Sequence, residues 1–180
     1  MGVKLATARG LTSSLEPGLV LLNTQTFSAA NTVSFPDNTF TAAYNTYSFT
    51  FNCTGSTAIQ LLARLRAAGV DNSAASYERA NWESVAAIST SRDTGQTSIL
   101  VGELYDSDQK RRPVSFVLCD PQVSGRYTTG ISQVTVNNSS SIYPIQRFHT
   151  LTVTTSYDSI TFLTSSGTMT GSISCYGYNQ

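Results

Sequence analysis

The stretch Tyr47-Ser48-Phe49-Thr50-Phe51-Asn52-Cys53 decides the fold. Side chains of an extended chain point alternately to its two sides, so Tyr47, Phe49, Phe51 and Cys53 share one apolar face. Ser48, Thr50 and Asn52 share the other, and no helical period fits the same residues. The alternation recurs in residues 32–35, 114–119, 131–136, 151–154, 159–162 and 172–176. Threonine is β-branched and suits the solvent side of a pleat. Short strands broken by Gly, Asn, Asp and Ser predict an all-β chain, an antiparallel sandwich or barrel. A parallel sheet would need intervening helices, and few stretches could supply them.

Two segments fit helix and strand alike. Residues 57–68 open on Thr57-Ala58-Ile59-Gln60, the pattern of a helix capping box, and carry Leu61, Leu62 and Leu65 at helical spacing before Gly69. Residues 76–88, around Tyr77-Glu78-Arg79-Ala80-Asn81-Trp82, are equally open. The first 18 residues mix Gly10, Thr12, Ser13, Ser14 and Pro17-Gly18 with isolated leucines and hold no sustained period. They read as an extended N-terminal arm (1–18) before one β-sandwich domain (19–180), an arm expected to pack on its own domain or on a neighbour.

Composition narrows the function. The 180 residues include 25 serines and 25 threonines, and charged residues make up 12%, about half of the ~25% usual in soluble domains. Two Lys and nine Arg balance seven Asp and four Glu, leaving no net charge. There is no basic excess to neutralise phosphates, so nucleic acid is not an expected partner. No apolar run approaches the ~18 residues of a membrane span. A sparsely charged, neutral surface lets copies of a chain approach one another without electrostatic penalty, which suits a subunit covered by its neighbours. The start, Met1 to Arg9, lacks the apolar stretch of a secretory signal. Cys53, Cys119 and Cys175, odd in number and each within an apolar run, read as small buried hydrophobes of a reducing compartment. The glycosylation-like triplets at Asn52, Asn137 and Asn138 are expected by chance in so hydroxyl-rich a chain.

Catalytic chemistry finds little support. His149 is the only histidine and sits in Arg147-Phe148-His149-Thr150-Leu151, where a surface or interface position is expected. Neither a Gly-x-Ser-x-Gly turn nor an activated cysteine setting accompanies it. Glu78 with Glu83, or Glu103 with Asp106 or Asp108, could form the carboxylate pair of a glycosidase, but spacing along the chain does not fix separation across a sugar ring. No calcium loop surrounds Asp106 and Asp108, and Asp106 to Pro113 reads as a polar hairpin tip. Its Lys110-Arg111-Arg112 run is a solvated loop that could dock on an acidic partner. Nine tyrosines, among them Tyr44, Tyr47, Tyr176 and Tyr178, suit protein interfaces and sugar-stacking surfaces equally, while any single one is expected to be half-buried in a strand.

Several stretches carry a resemblance. They are Leu21-Leu22-Asn23-Thr24-Gln25-Thr26-Phe27-Ser28, Val33-Ser34-Phe35-Pro36, Tyr44-Asn45-Thr46-Tyr47 and Leu65-Arg66-Ala67-Ala68-Gly69 followed by Tyr77. To these is added the ending from Ile160-Thr161-Phe162 through Gly167 to Thr170-Gly171-Ser172-Ile173-Ser174-Cys175-Tyr176-Gly177-Tyr178. Over residues 19–180 the chain resembles the small β-sandwich and tail-appendage proteins carried by tailed bacteriophages. The resemblance implies a jelly-roll or galectin-like sandwich, strand over helix at 59–67, and a virion component assembled in the host cytoplasm, with no cofactor and no shared catalytic residues. It further implies a homo-oligomer with other virion proteins as partners, such as the major capsid protein or tail proteins. A compact subunit with an arm fits a head-decorating (cement) protein. The alternative is a tail-fibre or tail-tip module that binds a receptor or a host surface glycan through exposed Tyr, Trp82 and polar loops. A glycosidase using Glu78, Glu83 or Glu103 is the third reading.

Overall fold

A computed structural model describes residues 18–84, 87–105, 114–138 and 141–179. In chain order the strands are β1 (Gly18–Ala30), β2 (Thr32–Ser34), β3 (Thr46–Gly55), β4 (Ile59–Ala67), β5 (Val70–Asp71), β6 (Tyr77–Ser84) and β7 (Ile88–Gln96). They continue with β8 (Ile99–Leu104), β9 (Val114–Cys119), β10 (Thr129–Asn138), β11 (Ser141–Leu151), β12 (Ser159–Thr164) and β13 (Met169–Asn179). No helix occurs among the described residues. β1 opens at Gly18, opposite Asn179 of β13, one residue inside the expected arm. Residues 1–17 lie outside the described part, as do Asp106, Asp108, Lys110, Arg111 and Arg112.

The strands form an antiparallel sandwich. Its larger sheet has eight strands in the order β1-β13-β3-β9-β10-β11-β6-β7. The smaller runs β2-β12-β4, with β5 and β8 both pairing β4. Apolar residues of the two inner faces interdigitate between them. Phe49 and Phe116 of the large sheet meet Phe162 of the small one at ring-centroid distances of 5.2 and 6.4 Å, and Phe35 lies 5.8 Å from Phe49. Edge-to-face arrangements dominate, as the quadrupoles of aromatic rings favour. In β3, Tyr47 and Phe49 are fully buried and Cys53 is buried, while Phe51 is half-buried and packs edge-on to Phe162 at 5.2 Å.

Both ambiguous segments carry strands where they are described, β4 in the first, β6 and the start of β7 in the second. In β4 burial alternates strictly, with Ile59, Leu61, Ala63 and Leu65 buried and Leu62 turned to the other side. Gly69 stops a strand rather than a helix. Arg66 pairs with Asp71 and Ala67 with Val70 around Ala68 (φ 50°) and Gly69 (φ 78°). Two consecutive positive φ values make the tight turn whose twist matches a hairpin. One expected strand fails. Leu151 ends β11, and Thr152 turns its N–H and hydroxyl onto the Ser76 carbonyl at 2.9 and 3.0 Å, so residues 152–154 leave the ladder.

The sheets differ in width, and this positions the exposed surfaces. The small sheet covers the middle of the large one. At the margins, neither β1 nor β7 buries a single residue.

Candidate functional site

Among the described residues, the groups with catalytic potential are withdrawn from solvent or paired. His149 faces the core and is only 4% exposed, which corrects the expected surface position. Its Nε2 lies 3.0 Å from the hydroxyl of Ser132, itself fully buried, and Phe116 packs edge-on to the ring. Burial, with the nearby guanidinium groups of Arg147 and Arg79, lowers the imidazole pKa to about 3. A group that holds a proton so weakly is a poor base for the shielded Ser132. Arg147 is also buried, and its Nη2 stands 4.0 Å from Glu103 Oε1 across the two sheets. The Tyr105 hydroxyl donates to the second oxygen of Glu103 at 3.3 Å.

Glu78 and Glu83 do not converge either, and the pairing of Glu103 with Asp106 or Asp108 lies outside the described residues. Glu78 and Glu83 are five residues apart on β6, so they point to opposite sides of the sheet. Glu78 accepts from Arg92 Nη2 at 2.7 Å, and Glu83 accepts from the Ser89 hydroxyl at 3.2 Å. Among the described residues no three His, Cys, Asp or Glu side chains come together as a metal site. Cys53 and Cys175 are buried, and burial pushes the Cys175 thiol up to about 12. Cys119 departs from expectation by standing half-exposed beside Thr46. Tyr47 and Tyr77 are wholly buried, with hydroxyls donating to the carbonyls of Thr41 and Asn72 at 2.8 and 2.9 Å. Both are structural, and burial raises the pKa of each.

What the molecule presents to solvent is the outer face of the eight-stranded sheet, read across the strands in register. One continuous row runs Thr24, Ser174, Thr50, Ser115, Gln133, Gln146, Trp82 and Thr90, one residue from every strand and none charged. Two residues further along each strand (three on β1, which carries a bulge), the next row is Leu21, Tyr176, Ser48, Val117, Ile131, Phe148, Ala80 and Arg92. The first is a belt of hydroxyls and carboxamides ending in an indole, the second a mostly apolar belt in which Ile131 is 40% and Phe148 45% exposed. Trp82 walls a cleft of about 360 Å³ whose lining includes Ser115, Gln133, Thr135, Pro144 and Gln146. A neighbouring depression of about 320 Å³ is lined by Val117, Cys119, Ile131 and Phe148.

The margins of this sheet are unlike each other. β7 carries Arg92 and Asp93, held by Glu78 and by Arg79 at 2.7 Å each. Gly18–Ala30 contains no charged residue and no proline, and among the described residues β1 pairs only with β13. Its second edge offers backbone N–H and C=O groups without the lysine or proline that usually protects such an edge. Two bulges, at Leu21/Asn23 and Phe27/Ala30, interrupt it. Leu19 and Leu21 beside it are more than half exposed, next to Tyr178.

Of the residues singled out by sequence, Trp82 stands in the cleft and Tyr176 and Tyr178 border the β1 edge. No local pattern marks Gln133, Gln146 and Ser115, because only strand register lines them up beside Trp82. Period-two alternation did place Gln133 opposite the apolar face of β10. Comparison of the chain with protein-family models, curated proteins and solved structures finds no match in any of the three.

Proposed function

We propose that this chain is a non-enzymatic structural subunit of a tailed-phage virion, a head-decorating (cement) protein that works by strand-edge and sheet-face contact. The observation that carries the reading is the β1 edge: thirteen residues, uncharged and proline-free, in a chain with no net charge. An unguarded edge is a template for another strand, and backbone hydrogen bonds then supply the contact whatever the side chains. Burying what remains exposed of Leu19 and Leu21 adds roughly 2 kcal/mol. The resemblance of residues 19–180 to small phage β-sandwiches supplies the virion setting and the expected partners, further copies and the major capsid protein. The buried, weakly basic His149 and the paired, divergent Glu78 and Glu83 favour a role without chemistry.

A second reading, a tail-fibre or tail-tip module that binds a receptor or glycan, is favoured by one observation, the Trp82 cleft. Gold-labelled antibody against the chain, imaged on the particles that carry it, separates the two. Label spread over the head agrees with decoration. Label confined to the tail contradicts it, and particles without label contradict both.

A further inference from the structure

We infer that the Trp82 cleft on the outer face of the large sheet binds a neutral saccharide. The inference stands apart from head decoration, because it concerns the ligand chemistry of one surface wherever the subunit is placed.

Three features of the cleft point the same way. The first is its polar floor. Ser115, Gln133 and Gln146 follow one another across β9, β10 and β11, strands spaced about 4.8 Å apart, so the floor is about 10 Å long. Neither glutamine carboxamide has a partner within the described protein, leaving two donors and an acceptor on each turned to solvent. A carboxamide matches a pair of neighbouring hydroxyls, donating to one oxygen and accepting from the other.

The second is the indole, 40% exposed at the end of this floor. A pyranose ring carries C–H groups on its faces and hydroxyls around its rim. It can therefore lie against the aromatic face while its rim meets the glutamines. The third is charge. None of the described lining residues is ionisable, so they offer nothing to balance a phosphate, a sulfate or a carboxylated sugar. Pro144, locked at φ near −65° by its ring, stiffens the lining.

The cleft lies open on the outer face of a sheet, a place suited to contact with one side of a sugar chain rather than to engulfing it. Single-site affinity is then about millimolar, and an assembly bearing many copies multiplies it by avidity.

Trp82 is the only tryptophan, so emission excited at the red edge of absorption, where the nine tyrosines do not absorb, reports this cleft alone. The test is titration of the full chain with cellohexaose, maltohexaose and lacto-N-neotetraose. The expected result is a saturable emission change with at least one of them. Saturation-transfer NMR on the sugar protons then reads the variants. Trp82→Ala and the pair Gln133→Ala/Gln146→Ala should each lose about tenfold or more in affinity, with Trp82→Phe between them and the parent. Leu21→Lys, on the distant β1 edge, should bind as the parent does. If Trp82→Ala does not fold, the glutamine pair decides. Emission unchanged across the three sugars overturns the inference, and so does binding that survives both variants. An emission change that follows protein concentration without sugar makes the cleft a protein interface and overturns it equally.

Discussion

Protonating His149 in the folded chain would place a charge between two sheets, beside the guanidinium groups of Arg147 and Arg79. The unfolded chain takes up this proton near pH 6.5 and the folded chain only near 3. The contribution of His149 to stability is therefore intact above pH 6.5 and drains away as pH falls from 6.5 towards 3, at up to about 1.4 kcal/mol per pH unit. His149→Gln keeps a polar partner for Ser132 and removes the titration. Urea unfolding across that window should show a shallower pH dependence in the variant, and parallel curves would refute this assignment. Gly171 is a second position where one residue controls the structure. With φ at 139°, a Cβ there would meet the Asn52 carbonyl oxygen at 2.2 Å and the Cys53 Cα at 2.6 Å. Gly171→Ala should cost about 3 kcal/mol, read from the midpoint of thermal unfolding. Neither consequence was legible in the sequence. Alternation shows that His149 and Phe148 face opposite ways, but which of them faces the core depends on the strands at either side.

At the level of elements, β4 shows why part of the fold stayed ambiguous. Ile59-Gln60-Leu61-Leu62-Ala63-Arg64-Leu65 satisfies both a helical and an extended reading. The choice falls to distant partners, β12, which sets Phe162 against Ala63, and β8, which sets Ile99 there too. Because the strand buries Leu61 but only half-covers Leu62, Leu61→Ala should cost about 3 kcal/mol and Leu62→Ala clearly less. Equal losses in denaturant melts would contradict the strand assignment. β3, by contrast, was legible from Tyr47 to Cys53, since large aromatics at every second position admit one period only. The β1 edge was half legible. Its lack of charge can be read from the sequence, whereas its place at the margin follows from β13, at the far end of the chain, pairing on one side of it alone.

The whole molecule combines a small sheet, a larger one that overhangs it, and an outer face rich in hydroxyls. The all-β class and the neutrality behind expected self-association came from composition and period. The rows that join Thr24 to Thr90, and with them the Trp82 cleft, needed the register of eight strands and lay beyond any local pattern. A contact made of backbone pairing and leucines on an uncharged strand should resist salt, because there are few ion pairs to screen. The most direct measurement is sedimentation equilibrium of the full chain, from micromolar to hundreds of micromolar, in low and high salt, beside the double variant Leu21→Lys/Thr24→Lys. Both substitutions lie on the solvent side of β1, so the unfolding temperature should hold while like charges guard the edge. Reversible association of the parent, equal in both salts and lost in the double variant, is the expected result. A parent that remains monomeric throughout, or a double variant that associates as strongly as the parent, would contradict it.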